Sequence, residues 1–425
     1  LKLKARIQTR KATIDRHAGM ACKVYVLKLD ESKFNLETTA KLERMFLEAK
    51  WWYNHLVEFS REQNLNDAAT GLKLVSVKVG EALEERELQV LPGSVKQDYK
   101  AKIFDSLKAL KTHKSKGRKV GQLKFKSRVD SIPIFRSGGS HRFDRLNNTV
   151  RLQKIKQKVK VTGLSQIPAG AEIANSVLAK CAGAYYLHVT TYQEKSSVLP
   201  PNQAVGIDFG CRTQLTLSTG IKLSYKIAES KRLKTASKEL ARRVKGSKNW
   251  HKTQISLQKA HEKVVNQRKD TKNKIVHTLV TNFRTIAVQD EQIAGWHKTG
   301  HGKAVQHSAI GGIISALKTK AHTPIVVSKW FPSTKLCPQC GVKNKTKLSD
   351  LIYSCQCGYS QDRDLHAARN ILSEGLKSLP ADRREFTPVE STTNTLWPAL
   401  LATACHGRLK VGQVGSLNQE ALARV

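Results

Sequence analysis

Acidic residues are scarce in this chain. Against 74 Lys and Arg stand 34 Asp and Glu, a formal charge of +40 over 425 residues. A surface that basic repels itself, so the sequence calls for a polyanionic partner, and the usual polyanion is nucleic acid. Long apolar runs are missing too. None approaches the roughly 18 residues a membrane span needs, and no membrane partner is expected. The start, Leu1-Lys2-Leu3-Lys4-Ala5-Arg6-Ile7, has neither an apolar signal core nor an initiator methionine. It suggests a few missing residues or an unusual start codon, and a cytoplasmic protein. A disulfide framework is also absent: Cys22, Cys181, Cys211 and Cys405 are scattered without pattern, as suits a reducing compartment.

The other four cysteines are not scattered. Cys337-Pro-Gln-Cys340 is followed, 14 residues on, by Cys355-Gln-Cys357, with Gly341 and Gly358 directly after each pair. Four thiolates in two close pairs suit one tetrahedral, structural Zn²⁺. The second pair is separated by one residue where two are commoner, a tighter knuckle. The cluster runs into Asp362-Arg363-Asp364-Leu365-His366-Ala367-Ala368-Arg369-Asn370, an acidic opening to a helix of small residues. An acid in that place, right after a zinc loop, is a nuclease-like arrangement.

The length allows about two to four domains. Residues 1–35 read as short strands. Leu42, Met45, Ala49, Trp52, Leu56 and Phe59 then recur on one helical face, and a second helix after Gly93 carries Val95, Tyr99, Ile103 and Leu107. Trp51, Trp52 and Tyr53 fit packing between these helices, with base stacking the other option. Residues 111–128 hold eight Lys or Arg and no acid and read as a basic loop. Lys116, Arg118, Lys119, Lys124 and Lys126 are its candidate phosphate contacts. Lys154, Lys156, Lys158 and Lys160 alternate with Ile155, Gln157, Val159 and Val161, which predicts a strand with one ammonium-lined face, either a phosphate track or a solvated edge.

After Leu199-Pro200-Pro201 a new unit begins. Val205–Gly210 reads as a buried strand, residues 214–220 as its hairpin return, and residues 228–283 as a helical hairpin broken near Gly246. Residues 231–275 carry 15 Lys or Arg against three acids, with Arg242, Arg243 and Arg268 as candidate nucleic-acid contacts. Residues 285–293 and 323–330 read as strands, so the order suits a multidomain α/β layer fold. Residues 376–425 read as a flexible tail.

Asp208 sits mid-strand between Ile207 and Phe209, with Gly206 and Gly210 on its own face. An ionised, dry carboxylate there is costly; a cation or a structural partner would relieve it. Glu291, read as the end of its strand, and Asp364 are two more such acids. Three carboxylates from two strands and one helix are the arrangement that holds two Mg²⁺ for in-line attack on a phosphodiester.

Over residues 204–375 the chain resembles the TnpB family, the OrfB-type, transposon-encoded, RNA-guided nucleases related to type V CRISPR effectors. The likeness rests on Gly206-Ile207-Asp208-Phe209-Gly210, on the basic hairpin with His261-Glu262-Lys263 and Arg268-Lys269-Asp270, on Gln289-Asp290-Glu291 through Trp296, and on the zinc loop with Asp362-Arg363-Asp364. Residues 1–200 match only by position and character. The resemblance implies an RNase H-like RuvC nuclease domain (199–334 and 361–375) with an inserted zinc ribbon (335–360). It also implies a wedge-type β-barrel (1–35 and 119–198) with a helical recognition insert (36–118). Asp208, Glu291 and Asp364 would be catalytic and hold two Mg²⁺, while Cys337, Cys340, Cys355 and Cys357 would hold zinc. The implied partners are a guide RNA and double-stranded target DNA beside a short adjacent motif, bound by a monomer or homodimer.

One departure bears on activity. The family pattern has glutamate where this chain has Gln289, an amide without the charge to hold Mg²⁺. Glu291 is the first replacement on this reading and Asp290 the second. A nuclease-inactive, RNA-guided DNA-binding repressor is the alternative, and a transposase performing strand transfer itself a more distant one.

Overall fold

The computed structural model describes residues 2–79, 82–134, 141–195, 199–225, 230–296, 302, 305, 308–347, 350–380 and 409–413. The chain divides into two compact units, Leu1–Ser196 and Ser197–Val425. Among the described residues no helix is long and apolar enough to cross a membrane.

The first unit opens with helix α1 (Lys2–Ala18), where short strands were expected. Its sequence is rich in Lys, Arg and Ala, all strong helix formers. Strand β1 (Ala21–Leu29) follows, then α2 (Leu36–Glu62), whose Asn35 side chain accepts the Thr38 N–H at its start. Strands β2 (Leu74–Val79) and β3 (Ala82–Glu87) form a hairpin before α3 (Gly93–Ser115). Leu42, Met45, Ala49, Trp52 and Leu56 of α2 are buried, as are Val95, Tyr99 and Ile103 of α3. Trp51 and Tyr53 are buried beside them, and the Trp52 indole N–H donates to the Lys96 carbonyl at 3.0 Å, so these aromatics serve packing. Helix α3 runs through Lys111 and Lys114; the irregular basic loop therefore starts at Lys116.

Strands β4 (Ser131–Ile134), β5 (His141–Asp144), β6 (Thr149–Leu152), β7 (Val159–Thr162), β8 (Glu172–Cys181) and β9 (Ala184–Gln193) complete the unit. They join β1 in a nearly closed, barrel-like sheet of order β4-β8-β9-β1-β7-β6-β5. The lysine row is not a strand. Lys154, Lys156 and Lys158 lie on the connection between β6 and β7, with Lys154 at φ 68°, and only Lys160 is in β7. Ile155 and Val159 anchor that connection in the core, which leaves the intervening lysines exposed and mimics a strand's alternation.

The second unit is built on a sheet of β10 (Ala204–Phe209), β11 (Leu215–Leu217), β12 (Ile221–Tyr225), β13 (Thr285–Gln289) and β14 (Thr323–Val327). Between β12 and β13 run α4 (Lys231–Arg242) and α5 (Lys248–Asn282). Between β13 and β14 run the short α6 (Ile293–Trp296) and α7 (Ile310–Lys320). After β14 come the small hairpin β15 (Ile352–Ser354) and β16 (Ser360–Asp362), then α8 (Arg363–Lys377). β10, β11 and β12 are successively antiparallel, whereas β10, β13 and β14 are parallel. A further strand, β17 (Leu409–Gln413), pairs with β12, so the expected tail contributes an edge to the sheet. The remainder of that tail, 381–408 and 414–425, lies outside the described residues.

Candidate active site

Asp208 stands on β10 next to its carboxyl end, opposite Thr216 of β11. The space its flanking glycine leaves is filled by α8. A Cβ on Gly206 would lie 2.2 Å from the Ala368 carbonyl oxygen and 2.8 Å from the Leu372 nitrogen. Only glycine there lets the helix seat against the strand, with Ala367 and Ala368 fully buried. That seating delivers Asp364, in the first turn of α8, to Asp208.

Asp362 and Asp364 have different surroundings. Asp362 is the cap of α8: its Oδ1 accepts the N–H groups of Asp364 at 3.1 Å and Leu365 at 3.0 Å. Its other oxygen accepts from Lys222 Nζ at 2.7 Å. Asp364 keeps its carboxylate for the site, with Arg363 at 3.3 Å and Lys222 at 3.9 Å. Lys222 is a residue sequence reasoning missed; nothing in its short strand marks it, and only the fold sets it beside two aspartates.

The strand expected over 285–293 ends at Gln289. The Gln289 side chain is buried and fully committed: Nε2 donates to the carbonyls of Phe331 (2.7 Å) and Ser328 (3.1 Å), and Oε1 accepts from Ser333 Oγ at 2.9 Å. The chain then turns, with the Glu291 N–H donating to the Gln289 carbonyl at 3.0 Å. Glu291 therefore comes from a turn after the strand, not from the strand face. Asp290 points elsewhere: it is exposed and paired with Lys318 of α7 at 2.6 Å.

Burial pushes the Asp208 carboxyl well above the usual carboxylate range, and the charges of Asp364 and then Glu291 push it further, partly opposed by Arg363. Glu291 is raised as well, by burial and then by Asp290. Asp208 is deep in the unit yet its side chain is only partly covered, so it lines a recess and is not sealed in the core. Like charges gathered around a poorly solvated carboxylate favour either a proton or a cation. The donor set is all oxygen, as Mg²⁺ prefers. Among the described residues the four cysteines alone draw together at the spacing of a single metal ion.

In that cluster the four Sγ atoms lie within 4.8 Å of one another. Cys337 faces Cys357 and Cys340 faces Cys355, each at 3.5 Å. Gly341 (φ 71°) and Gly358 (φ 91°) take left-handed turns that bring N–H groups back to the Cys337 and Cys355 carbonyls, both at 3.0 Å. The cluster fits a structural zinc. It is tied to α8 by the buried His366, which stacks on Tyr353 with centroids 3.8 Å apart. Asn370 adds bonds to the Ser333 and Leu336 carbonyls at 2.7 and 2.8 Å.

Of the proposed nucleic-acid contacts, Lys116, Arg118, Lys119, Lys124, Lys126, Lys154, Lys156, Lys158, Arg242 and Arg243 are exposed and Arg268 is half-buried. Lys126 also sits 4.3 Å over the Tyr53 ring.

The probable-transposase family OrfB_IS605 matches residues 187–299, and the Cas12f1-like TNB domain family matches residues 313–371. Between them they take in the strand of Asp208, the basic helices, Glu291 and the zinc loop with Asp364. Over these residues the chain is similar to the TnpB family. A protein of Streptomyces pristinaespiralis named as a candidate RNA-guided DNA endonuclease is 30% identical over 54% of this chain and 60% of its own length. Escherichia coli InsQ, named in the same way, is 25% identical over 68% of this chain and 77% of its own. A Cas12f1 chain solved with sgRNA and target DNA has TM-score 0.47 and 13% identity, covering 83% of this chain and 99% of that one. The chain spans three-fifths of the Streptomyces relative's length.

Proposed function

We propose that this protein is an RNA-guided DNA endonuclease whose RuvC-like site hydrolyses phosphodiesters with Asp208, Glu291 and Asp364. The observation that carries the reading is the convergence of three acids from β10, the turn after β13 and the start of α8, close enough that two of them raise the third. Three successive antiparallel strands continued by two parallel ones, with the acid on the central strand, support an RNase H-type domain. When bound, two Mg²⁺ would activate water and stabilise the leaving oxygen. The chain's own part would be to gather the three carboxylates around the ions. Asp362 fixes the helix start and Lys222 bridges Asp362 and Asp364. The exposed cations would hold guide RNA and target DNA by their backbones.

Gln289 favours a second reading, a guide-directed DNA binder that does not cut, because the buried strand position has no charge. One experiment separates them. Protein purified with its co-bound RNA, once that RNA is sequenced, is given a matching plasmid and Mg²⁺. Cleavage that disappears in Asp208→Asn, Glu291→Gln and Asp364→Asn, with guide-dependent binding retained, is the expected result. Guide-dependent binding without cleavage by the unaltered chain would establish the repressor. Loss of cutting in Asp290→Asn but not in Glu291→Gln would move the third ligand to Asp290.

A further inference from the structure

The first unit holds a recess of about 900 Å³ that the acid site does not use. Its walls are the carboxy-terminal halves of α2 and α3 and the segment 118–123 that returns beside them. Leu107, Leu110 and Leu123 form a half-buried apolar floor. Arg61, Lys111, Lys114 and Lys119 stand around it, and no acid is among the lining residues. Leu107 and Lys111, like Leu110 and Lys114, are four positions apart on α3, so floor and rim share one helix face.

The recess is built rather than incidental. Asn54 grips the Lys126 backbone at both ends, Nδ2 donating to its carbonyl at 3.0 Å and Oδ1 accepting its N–H at 2.8 Å. Arg61 donates to the Leu123 carbonyl at 3.0 Å and lays its guanidinium 4.4 Å over the Phe125 ring. These contacts hold the irregular segment against the helices and fix a planar cation at the rim. The volume falls in the class of small-molecule pockets, about 300–1,000 Å³.

An acidic peptide would answer the rim and leave the leucines bare, and an aliphatic chain would do the reverse. An unpaired nucleotide answers both, because its base is flat and apolar on its faces and its phosphate is anionic. Guanidinium planes are regular stacking partners for splayed bases. We propose that this recess captures one unpaired nucleotide of a bound strand, with its base against Leu107, Leu110 and Arg61 and its phosphate on Lys111 and Lys114. The inference rests on the chain binding nucleic acid, not on its acids being catalytic.

The test uses the full chain, unaltered, with a short oligo-uridine RNA containing 4-thiouridine and, separately, a thymidine DNA containing 4-thiothymidine. Near-ultraviolet crosslinks are mapped by mass spectrometry. Crosslinks on peptides spanning residues 107–123 are expected, and the better arm tells whether RNA or DNA supplies the nucleotide. Leu110→Gln should weaken the intact strand about tenfold and leave an otherwise identical abasic strand unchanged. Lys111→Ala with Lys114→Ala should lower the slope of log affinity against log salt by about 0.7, the value for one lost single-strand phosphate contact. Crosslinks elsewhere with none in 107–123 would overturn the recess and leave nucleic-acid binding standing. Equal weakening of intact and abasic strands by Leu110→Gln would also overturn it. No crosslinks anywhere would overturn both.

Discussion

Asp208 is the residue at which folding and chemistry pull in opposite directions. Its carboxyl, and that of Glu291, hold protons more tightly in the folded chain than their ordinary values of 3.8 and 4.5 allow. For groups raised in this way, the stabilising contribution is complete below the ordinary value and is lost as pH rises through the folded one. Protein stripped of divalent ions should therefore lose melting temperature from about pH 4 towards neutrality. Mg²⁺ should restore it, more at about pH 7.5 than at about pH 5, because only the deprotonated site gathers a cation. Asp208→Asn should raise the melting temperature of the ion-free protein at neutral pH and abolish the Mg²⁺ increment. A Mg²⁺ increment that survives Asp208→Asn would place the ion elsewhere. Scanning calorimetry at three pH values makes the distinction.

Between the strand end at Gln289 and helix α8 lies a buried polar network that the acid site depends on for its shape. Gln289 binds the 328–333 loop, Ser333 joins that loop to Asn370, and Asn370 reaches the entrance of the zinc knuckle. Gln289→Ala leaves two carbonyls and a hydroxyl without this partner and should cost about 1–3 kcal/mol. Gln289→Glu keeps the shape but faces carbonyl oxygens with an acceptor. It should lower the melting temperature without raising cleavage, and a gain in cleavage would return the ligand role to position 289. Stripping zinc should melt the 335–360 loop, since its two strands are only three residues each and metal affinity there is folding free energy. Through Tyr353 on His366, loss of zinc should also loosen α8 and slow cleavage, read as faster amide exchange over 363–371. The strand of Asp208, the two basic helices and the cysteine loop were legible because each is written in local spacing. The end of β13 was not, because carbonyls some forty residues later decide it. Lys154–Lys158 misled because core anchors in a turn can alternate like a strand. Helix α1 was missed although its Lys, Arg and Ala side chains favour helix, and β17 owes its place to pairing with β12.

Over the whole molecule, a charge of +40 is the property most exposed to experiment. Cations that touch phosphate displace condensed counterions, so affinity falls with salt in proportion to the contacts made. The exposed Arg242 ends α4 and Arg243 caps it, where the chain turns towards α5, and neither has an acidic partner in an ion pair among the described residues. Replacing both with Ala should lower the duplex salt slope by about 1.8 and weaken matched and mismatched targets by the same factor, since phosphate contacts position without reading sequence. Asp208→Asn removes negative charge and should leave that slope unchanged while ending cleavage, which separates the two roles of the surface and the site. Binding isotherms for a guide-loaded protein at four salt concentrations carry the comparison. A target-selective loss in the Arg242 and Arg243 variant would instead make that turn a reader of bases.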